Sequence, residues 1–447
     1  MEKIEIAILG GGWAGLLSAR ELLKSYSPDE IVVLEQSSRA SSGGLLKSFL
    51  HEGFTFDTGG PHILFSKFSD TLDEIRGILG SNYVRLPRMN YVSFQGKMIP
   101  YPIENGLYQL PPEARARLGT GIVEAALGLA RNPGWIPRTF KEWIYGSFGP
   151  AMGAEYLEPY NRKIWKRDLN QLAADWVFTP GRLPLPEIPD ISRAMAGLES
   201  VGYKEQSTFI YPKTGGIESL FRALLRQIEN SGVRVIFSTP ARKLISMYKG
   251  WEVNGVLQCK RVVSTIPLPT LLGTLRSEAF REGFANRFDY NRVLVVGVAI
   301  RGETPAQTAV YVPQPDIPFH RYTWMSYLTA HPPESANLIA EVTIPRDVPV
   351  DLESITRSVV RGLRKLGVFS KDSEVLFKQS WLNEYGYPVY RKDLQNLREK
   401  VISELEAKGI YSVGRWGSWH YWNTDMVLRA VRGTIGRMDG LQNHGSN

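Results

Sequence analysis

The chain has 447 residues, of which 43% are apolar and 22% charged, so it is long enough for two or three domains with buried cores. No run of about 18 apolar residues occurs, which excludes a membrane-spanning helix, and Cys259 is the only cysteine, which excludes internal disulfides and a cysteine metal cluster. The net charge of +8 suits an anionic substrate, whereas the spread-out basic residues predict no nucleic-acid partner.

The first predicted element is a buried parallel strand, because residues 4–9 (IEIAIL) are apolar apart from Glu5. This strand starts almost at the first residue, which is unlike a secretory signal and predicts a cytoplasmic protein. GGGWAG follows, in which Gly10, Gly12 and Gly15 satisfy the pattern G-x-G-x-x-G. A helical pattern and a second apolar strand, EIVVLE, then complete a strand–turn–helix–strand unit that ends at Glu35.

This unit is typical of a dinucleotide-binding fold. Gly10 allows the tight turn, Gly12 lets a pyrophosphate approach the backbone at the positive end of the helix, and Gly15 allows close helix–strand packing. Glu35 is placed to accept hydrogen bonds from a ribose hydroxyl. A glycine-rich turn without a ligand is the alternative, but the two strands and the acid together favour the cofactor.

The following segment, residues 39–67, favours FAD over NAD as that cofactor. Two glycine pairs, Gly43–Gly44 and Gly59–Gly60, flank a short alternating strand. The backbone is therefore expected to approach a flat or phosphorylated group at two further places, which an extended FAD requires and an NAD domain does not. A hairpin with two glycine turns is the alternative.

The rest of the chain divides into helical and strand-rich parts. Residues 111–197 read as a helical insertion, and strands dominate residues 291–378. Near the end, the strand GIYSVG runs into GRWGSWHYWNTD and a helix, which indicates a second ligand-facing unit, although each tryptophan taken singly fits a core position. The sequence thus predicts an α/β fold with three domains: a discontinuous Rossmann-like FAD-binding domain (1–80, 205–275 and 405–447), a helical substrate domain (105–204), and a mainly antiparallel β-sheet domain (81–104 and 276–404).

Several segments resemble the UDP-galactopyranose mutase family, especially its eukaryotic type, within the wider flavoprotein group of amine oxidases and protoporphyrinogen oxidases. They are GGLLKSFLHEGFTFDTGGPHILFSK, IPYPIENGLYQLPPE, EPYNRKIW, FIYPKTGG, VGVAIRG with PFHRY, YGYPVY and GRWGSWHYWNTD. The resemblance implies a redox-neutral mutase that interconverts the pyranose and furanose forms of a nucleotide-sugar, with UDP-galactopyranose and UDP-galactofuranose as the expected pair. Reduced FAD would act through its N5 atom as the nucleophile.

The resemblance also implies catalytic roles. His62 corresponds to a histidine that lies on the flavin near N5, while Arg301 and Arg182 correspond to two arginines that clamp the diphosphate. Relative to the family, two extra residues lie between Trp176 and Arg182 in this sequence. Arg88 corresponds to an arginine that contacts a reducing nicotinamide cofactor, so NADH or NADPH is the implied reductant, although Asn90 replaces a serine there.

Further residues are implied in binding, and no metal ligand is among them. Those around the nucleotide-sugar are Tyr101, Glu104, Asn161, Trp165, Gln206, Tyr290, Tyr387 and Tyr421, with Gln206 standing where the family has Asn. Those around FAD are Gly10, Gly12, Trp13, Ala14, Gly15, Glu35, Gln36, Gly43, Gly44, Leu45, Gly60, His62, Ala241, Gly414, Arg415, Asn423, Thr424 and Asp425.

Glu104 stands where the eukaryotic mutases carry a Gln beside uracil. A Gln amide donates and accepts hydrogen bonds at once, whereas an ionised Glu only accepts them. A guanine edge suits a carboxylate better. Three alternatives therefore stay open: the nucleotide is not uridine, Asn105 or a backbone amide supplies the missing donor, or Glu104 turns outward.

Three functions stay open at the level of the sequence. The first is the nucleotide-sugar mutase, the second an FAD-dependent oxidase or dehydrogenase of the amine oxidase and protoporphyrinogen oxidase group, and the third a non-catalytic flavin-binding protein. Two arginines aimed at a diphosphate favour the first, because an oxidase of an apolar substrate requires an apolar tunnel. The oligomeric state stays open.

Overall fold

Two large β-sheets organise the computed structural model, which describes residues 1–178, 185–200, 207–275 and 284–443. The strands are β1 (Glu2–Leu9), β2 (Ile31–Leu34), β3 (Ser48–His51), β4 (Phe54–Asp57), β5 (Val84–Pro87), β6 (Asn90–Phe94), β7 (Lys97–Pro100), β8 (Thr208–Tyr211), β9 (Arg234–Ile236), β10 (Leu244–Met247), β11 (Gly250–Val253), β12 (Leu257–Ser264), β13 (Tyr290–Arg301), β14 (Ala309–Tyr311), β15 (Arg321–Trp324), β16 (Ser335–Pro345), β17 (Val375–Pro388) and β18 (Ile410–Ser412). The α-helices are α1 (Trp13–Leu22), α2 (Ser69–Leu79), α3 (Pro112–Arg131), α4 (Phe140–Met152), α5 (Glu158–Trp165), α6 (Ile188–Met195), α7 (Glu218–Asn230), α8 (Leu268–Thr274), α9 (Met325–Leu328), α10 (Leu352–Lys365), α11 (Leu394–Glu406) and α12 (Thr424–Asn443).

The first sheet is built around parallel strands from both ends of the chain. Its order is β10–β11–β12–β1–β2–β9, with β18 paired to β12. β1 runs parallel to β2 and β12, and β18 runs parallel to β12. Helix α1 packs against α7 and α12, and β2 is buried along its whole length, as expected for a parallel strand covered on both faces. The predicted α/β class and the Rossmann-like sheet are confirmed.

The second sheet has the order β17–β13–β16–β15–β14–β6–β7 and is antiparallel except where β14 meets β6. Successive side chains of β13 point to opposite faces, as the period of a strand requires. Leu294, Val296 and Val298 pack on the face covered by α10, whereas Val293 and Val295 join the core shared with the first sheet. The second face therefore forms one wall of the space between the sheets.

A helical segment, α3 to α6, covers the open side of that space. Between α4 and α5 the chain forms one π-helical stretch, Gly153–Leu157. Such wide turns occur often at functional sites because they rotate the side chains that follow. Here Tyr156 lies in the wide turn and Tyr160 follows it in α5, and both rings face the space between the sheets. How this segment and the two sheets divide into domains stays a prediction.

Candidate active site

A cavity of about 800 Å³ lies at the carboxyl ends of the parallel strands. Gly10 follows β1, Glu35 follows β2 and Thr265 follows β12, and all three line it. The second sheet and the helical segment close the other sides. Ligands of open α/β sheets bind at this edge, so the cavity is the candidate active site.

The glycine turn after β1 forms a cradle at one end of the cavity. Gly10 has a φ of +95°, which favours glycine, and a Cβ on Gly15 would lie 1.9 Å from the Gly10 carbonyl oxygen. A Cβ on Gly12, at the start of α1, would meet no protein atom within 4 Å. The turn and the helix thus require glycine for packing, whereas Gly12 leaves open the space that a pyrophosphate needs.

Glu35 holds this turn and still faces the cavity. Its two carboxylate oxygens accept hydrogen bonds from the main-chain N–H groups of Gly11 and Ser37, each at 2.8 Å. An ionised carboxylate offers about four lone-pair sites, so Glu35 retains capacity for a ribose hydroxyl. The cradle, the acid and the glycine pairs beyond them therefore fit an extended dinucleotide such as FAD.

Most predicted cofactor residues line this cavity. They are Gly10, Gly12, Trp13, Ala14, Glu35, Gln36, Gly43, Gly44, Leu45, Gly60, His62, Ala241, Arg415, Asn423 and Thr424.

Three other predicted cofactor residues lie behind the cavity wall. Gly15 packs on the glycine turn, and Gly414 brings the end of the first sheet close to α1, where a Cβ would lie 2.6 Å from that of Ala14. Asp425 accepts a hydrogen bond from the Ser66 hydroxyl at 2.9 Å, and burial raises the pKa of its carboxyl. These residues shape the wall rather than face the cavity.

His62 lines the cavity in its neutral form. Burial lowers the pKa of its imidazole to about 4, and the positive charges of Arg415 and Arg321 contribute to the decrease. Its Nδ1 lies 2.7 Å from the carbonyl oxygen of Gly60, so Nδ1–H donates there and Nε2 keeps a lone pair. His62 is therefore a hydrogen-bond acceptor at this point, with two guanidinium groups nearby.

The loop GRWGSWHYWNTD supplies one of these guanidinium groups. Arg415 donates to the carbonyl oxygens of Gly386 and Trp422 at 2.7 and 3.3 Å, and its guanidinium lies 4.4 Å from the ring centre of Tyr421. Trp419 is fully buried in the core, whereas Trp416, Tyr421 and Trp422 line the cavity. The aromatic loop thus contributes both core and cavity wall.

The second guanidinium group near His62 belongs to Arg321, whereas the sequence analysis expected Arg301 in the site. Arg301, at the end of β13, has a 60% exposed side chain that pairs with Glu374 at 2.9 Å, and it does not line the cavity. Arg321 of β15 does line it, and its Nε and Nη2 donate to the carboxylate of Glu341 at 2.5 and 2.8 Å. Arg321 and Glu341 are register partners on β15 and β16, and both lie on the face of the sheet opposite α10.

Arg321 keeps one nitrogen, Nη1, that Glu341 does not use. Tyr387, which also lines the cavity, donates to the same carboxylate at 3.4 Å. Two residues of the predicted site, Arg182 and Gln206, lie outside the described residues.

Tyr290 is a second correction. Its hydroxyl donates to Glu384 at 2.8 Å and its ring packs 4.6 Å from that of Tyr385, measured between ring centres. Tyr385 lines the cavity, but Tyr290 does not. Tyr290 opens β13 beside β17, and its ring lies behind Tyr385 because the two strands are paired there.

The end of the cavity away from the cradle is lined by phenol rings. Four of these rings, here called the tyrosine row, pack in sequence with neighbouring ring centres 4.8 to 5.8 Å apart, in the order Tyr101, Tyr311, Tyr160 and Tyr156. Asn161 lines the cavity beside them, and its amide donates to the Leu157 carbonyl of the wide turn at 2.8 Å. The remaining predicted substrate residues that line the cavity are Tyr101, Glu104, Trp165, Tyr387 and Tyr421.

Arg88 and Asn90 line the cavity near Phe65, over whose ring the Arg88 guanidinium lies at 5.4 Å from the centre. Sequence reasoning missed Arg321, Glu341, Tyr156, Tyr160 and Tyr311 as site residues. The useful signal was Glu341 itself, a single acid inside the apolar strand LIAEVTI, because a buried carboxylate requires a cationic partner.

Among the described residues, no cluster of three or more His, Cys, Asp or Glu side chains is placed to bind a metal ion. Over the same residues, no helix has the length and apolar character that crossing a bilayer demands.

Comparison with solved structures finds similar folds over nearly the whole chain. A crystal structure of reduced UDP-galactopyranose mutase is 25% identical with a TM-score of 0.88, and the match covers 98% of this chain and 96% of that chain. A fatty acid isomerase from P. acnes and a redesigned putrescine oxidase are each 15% identical, with TM-scores of 0.66 and 0.63. These two matches cover 97% and 98% of this chain and 98% and 99% of the others, and they show a shared fold alone.

A family model described as flavin containing amine oxidoreductase matches residues 13–427. Together with the mutase structure, this match confirms the resemblance to UDP-galactopyranose mutases within the amine oxidase-like flavoproteins. It also agrees with the dinucleotide cradle and supports FAD as the cofactor of an enzyme. The chain belongs to the family of flavin-containing amine oxidoreductases.

Proposed function

We propose that the protein is a nucleotide-sugar mutase that interconverts UDP-galactopyranose and UDP-galactofuranose and requires reduced FAD. The observation that carries the proposal is that the Arg321 and Arg415 guanidinium groups both lie near neutral His62 in the cavity wall. Two desolvated guanidinium groups suit a diphosphate, whose oxygens accept hydrogen bonds from both.

The same charges argue against oxidation of an amine. An amine substrate is cationic at neutral pH, so guanidinium groups beside His62 would repel it. An apolar substrate would shield Arg321 Nη1, which Glu341 does not use, from water without giving it a hydrogen bond. A nucleotide-sugar satisfies the charges and places its sugar between the cofactor cradle and the tyrosine row.

Bound reduced FAD would supply the nucleophilic electron pair, and the residues of this chain would position the reactants. Arg321, through Nη1, and Arg415 would hold the diphosphate, and the Tyr387 and Tyr421 hydroxyls lie in the same part of the cavity. The Nε2 lone pair of His62 would accept a hydrogen bond from a ligand in the cavity. The ring of Tyr421, packed on Arg415, would help exclude water.

Two further assignments belong to this proposal. Arg88, beside Phe65, would contact NADH or NADPH as the reductant, because its guanidinium faces the cavity and suits a nucleotide phosphate. Arg182 is proposed as a further contact of the diphosphate on the strength of the resemblance. The protein would act in the cytoplasm, where nucleotide-sugars and reduced nicotinamides are available.

The test is to incubate the FAD-loaded protein, reduced with dithionite, with a panel of nucleotide-sugars and to separate the products by chromatography. We expect one nucleotide-sugar to give an isomer of unchanged mass, and the oxidised protein to give none. Turnover of an amine with release of peroxide, and no isomer from any nucleotide-sugar, would overturn the proposal.

A further inference from the structure

Glu104 is a buried carboxyl group at the far end of the cavity. Glu104 is only 4% exposed, yet it lines the cavity. Within the described part of the chain, its carboxyl hydrogen-bonds only to its own main-chain N–H. Burying a carboxyl without a partner costs several kcal/mol, roughly, when it is charged, so this group is placed for a ligand rather than for the fold.

Tyr156 lies near Glu104, and its other charged or titratable neighbours are phenols from two further elements. Tyr101 comes from the turn after β7, Tyr156 from the wide turn before α5, and Tyr311 from β14. Burial raises the pKa of Tyr156 well above its usual value, and the nearby Tyr101, Tyr311 and Glu104 add to the increase. Tyr156 therefore stays neutral, and the three rings provide flat surfaces against which a planar ring can pack.

The charged side chains of the surrounding elements are directed elsewhere. Lys97 of β7 donates to the Gln109 carbonyl, and Glu155 of the wide turn pairs with Arg117 on the outer surface. Arg321 and Glu341 pair with each other beyond Tyr160, whose pKa the positive charge of Arg321 moderates. The tyrosine row thus separates the guanidinium groups from Glu104.

This order matches the order of groups in a nucleoside diphosphate. With the phosphates at Arg321 and Arg415, the tyrosine row accompanies the ribose and the base, and Glu104 meets the outer edge of the base. Uracil and guanine each present a ring N–H at that edge, so with either base a carboxyl there has a donor from which to accept a hydrogen bond.

We propose that Glu104 reads the hydrogen-bonding edge of the nucleobase and that protonation of its carboxyl changes which base the cavity prefers. The inference rests on the proposed function, since it takes a nucleoside diphosphate as the ligand. A neutral carboxyl donates one hydrogen bond and accepts another, which complements the adjacent N–H and carbonyl of uracil. An ionised carboxyl only accepts, which complements the two adjacent N–H donors of guanine.

The change falls in an accessible pH range. Burial raises the pKa of Glu104 to about 7. Below that pH the neutral form prevails and uracil is favoured; above it the charged form prevails, uracil loses its donor, and guanine gains a charge-assisted partner. The Kd of GDP divided by the Kd of UDP is therefore expected to fall as pH rises.

The experiment measures the Kd of UDP and of GDP for the oxidised FAD-loaded protein by calorimetry, from about pH 5.5 to about pH 8.5. Ionisation of the diphosphate affects both nucleotides alike and cancels in the ratio of their Kd values. The variant is Glu104→Gln, whose amide donates and accepts at every pH. The matched control is Glu384→Gln, an exposed carboxylate at the edge of the same cavity.

We expect the GDP-to-UDP ratio of Kd values to fall about tenfold across this range in the wild type and in Glu384→Gln, and to stay constant and favour UDP in Glu104→Gln. Binding of both nucleotides with a constant ratio in the wild type, or an equal change in Glu104→Gln, would overturn the inference and leave the mutase proposal standing. The expected change in ratio without any isomerase activity would overturn the mutase proposal alone. No binding of either nucleotide would overturn both.

Discussion

Replacing Arg321 by Ala, with Arg301→Ala as its control, tests where the substrate phosphates bind. Arg321 lines the cavity beside His62, whereas Arg301 forms an exposed pair with Glu374 in which both side chains are 60% exposed. Losing a desolvated cationic partner of the transition state costs about 2–4 kcal/mol, so we expect kcat/KM of Arg321→Ala to fall by roughly 30-fold to 1000-fold. An exposed pair contributes about 0–1 kcal/mol to stability, and Arg301→Ala should keep kcat/KM within about twofold.

The loss of kcat/KM in Arg321→Ala must be separated from a loss of folding stability. Arg321→Ala leaves Glu341, whose side chain is 3% exposed, without its cationic partner, which costs about 3–5 kcal/mol of folding free energy. The double variant Arg321→Ala with Glu341→Gln removes that buried charge and should recover much of the stability but not the activity. The assay is isomerisation of UDP-galactopyranose by the reduced protein, with flavin absorbance and urea unfolding measured alongside. Wild-type kcat/KM in Arg321→Ala, or an equal loss in Arg301→Ala, would refute the reasoning.

Three further outcomes are expected. Gly12→Val should fold, because a Cβ there meets no protein atom within 4 Å, but should bind no flavin, and retention of the yellow colour would contradict the proposed cradle. Burial lowers the pKa of His62 to about 4 in the folded protein, below its unfolded value, so the free energy of unfolding of the wild type should decrease as pH drops from about 6.5 towards 4. In urea unfolding, His62→Gln should show a smaller decrease over the same range. The same pH dependence in His62→Gln as in the wild type would contradict this role of His62. Arg88→Ala should slow flavin reduction by NADPH about tenfold and leave isomerisation by the dithionite-reduced protein unchanged, whereas a loss in the second assay would place Arg88 at the substrate.

The cofactor end of the site could be predicted from the sequence because its signals are local. The turn, the helix and the acid fall within residues 4–35, and each glycine has a steric reason that the structure shows, such as the 1.9 Å approach at Gly15. The second glycine segment and the aromatic loop near the C-terminus carry similar local signals. In these cases the residues that act together are neighbours along the chain or follow adjacent parallel strands.

The substrate end could not be predicted as well because it depends on pairing between distant strands. Whether Arg301 or Arg321 faces the cavity depends on the register of β15 and β16 and on which face α10 covers, and the segment PFHRY alone does not reveal either. Tyr290 was misplaced for the same reason, since β13 and β17 pair so that its ring lies behind Tyr385. The tyrosine row also depends on the π-helical turn Gly153–Leu157, for which the sequence carries no local signal.

The most direct measurement of the proposed function is the number of sugar molecules isomerised per reducing equivalent consumed. The FAD-loaded protein is reduced anaerobically with a limiting, known amount of dithionite and then mixed with excess UDP-galactopyranose, and the UDP-galactofuranose formed and the flavin remaining reduced are both measured. A redox-neutral mutase gives many product molecules per flavin while the flavin stays reduced. At most one product per flavin, with oxidation of the flavin in the same proportion, would contradict the mutase function.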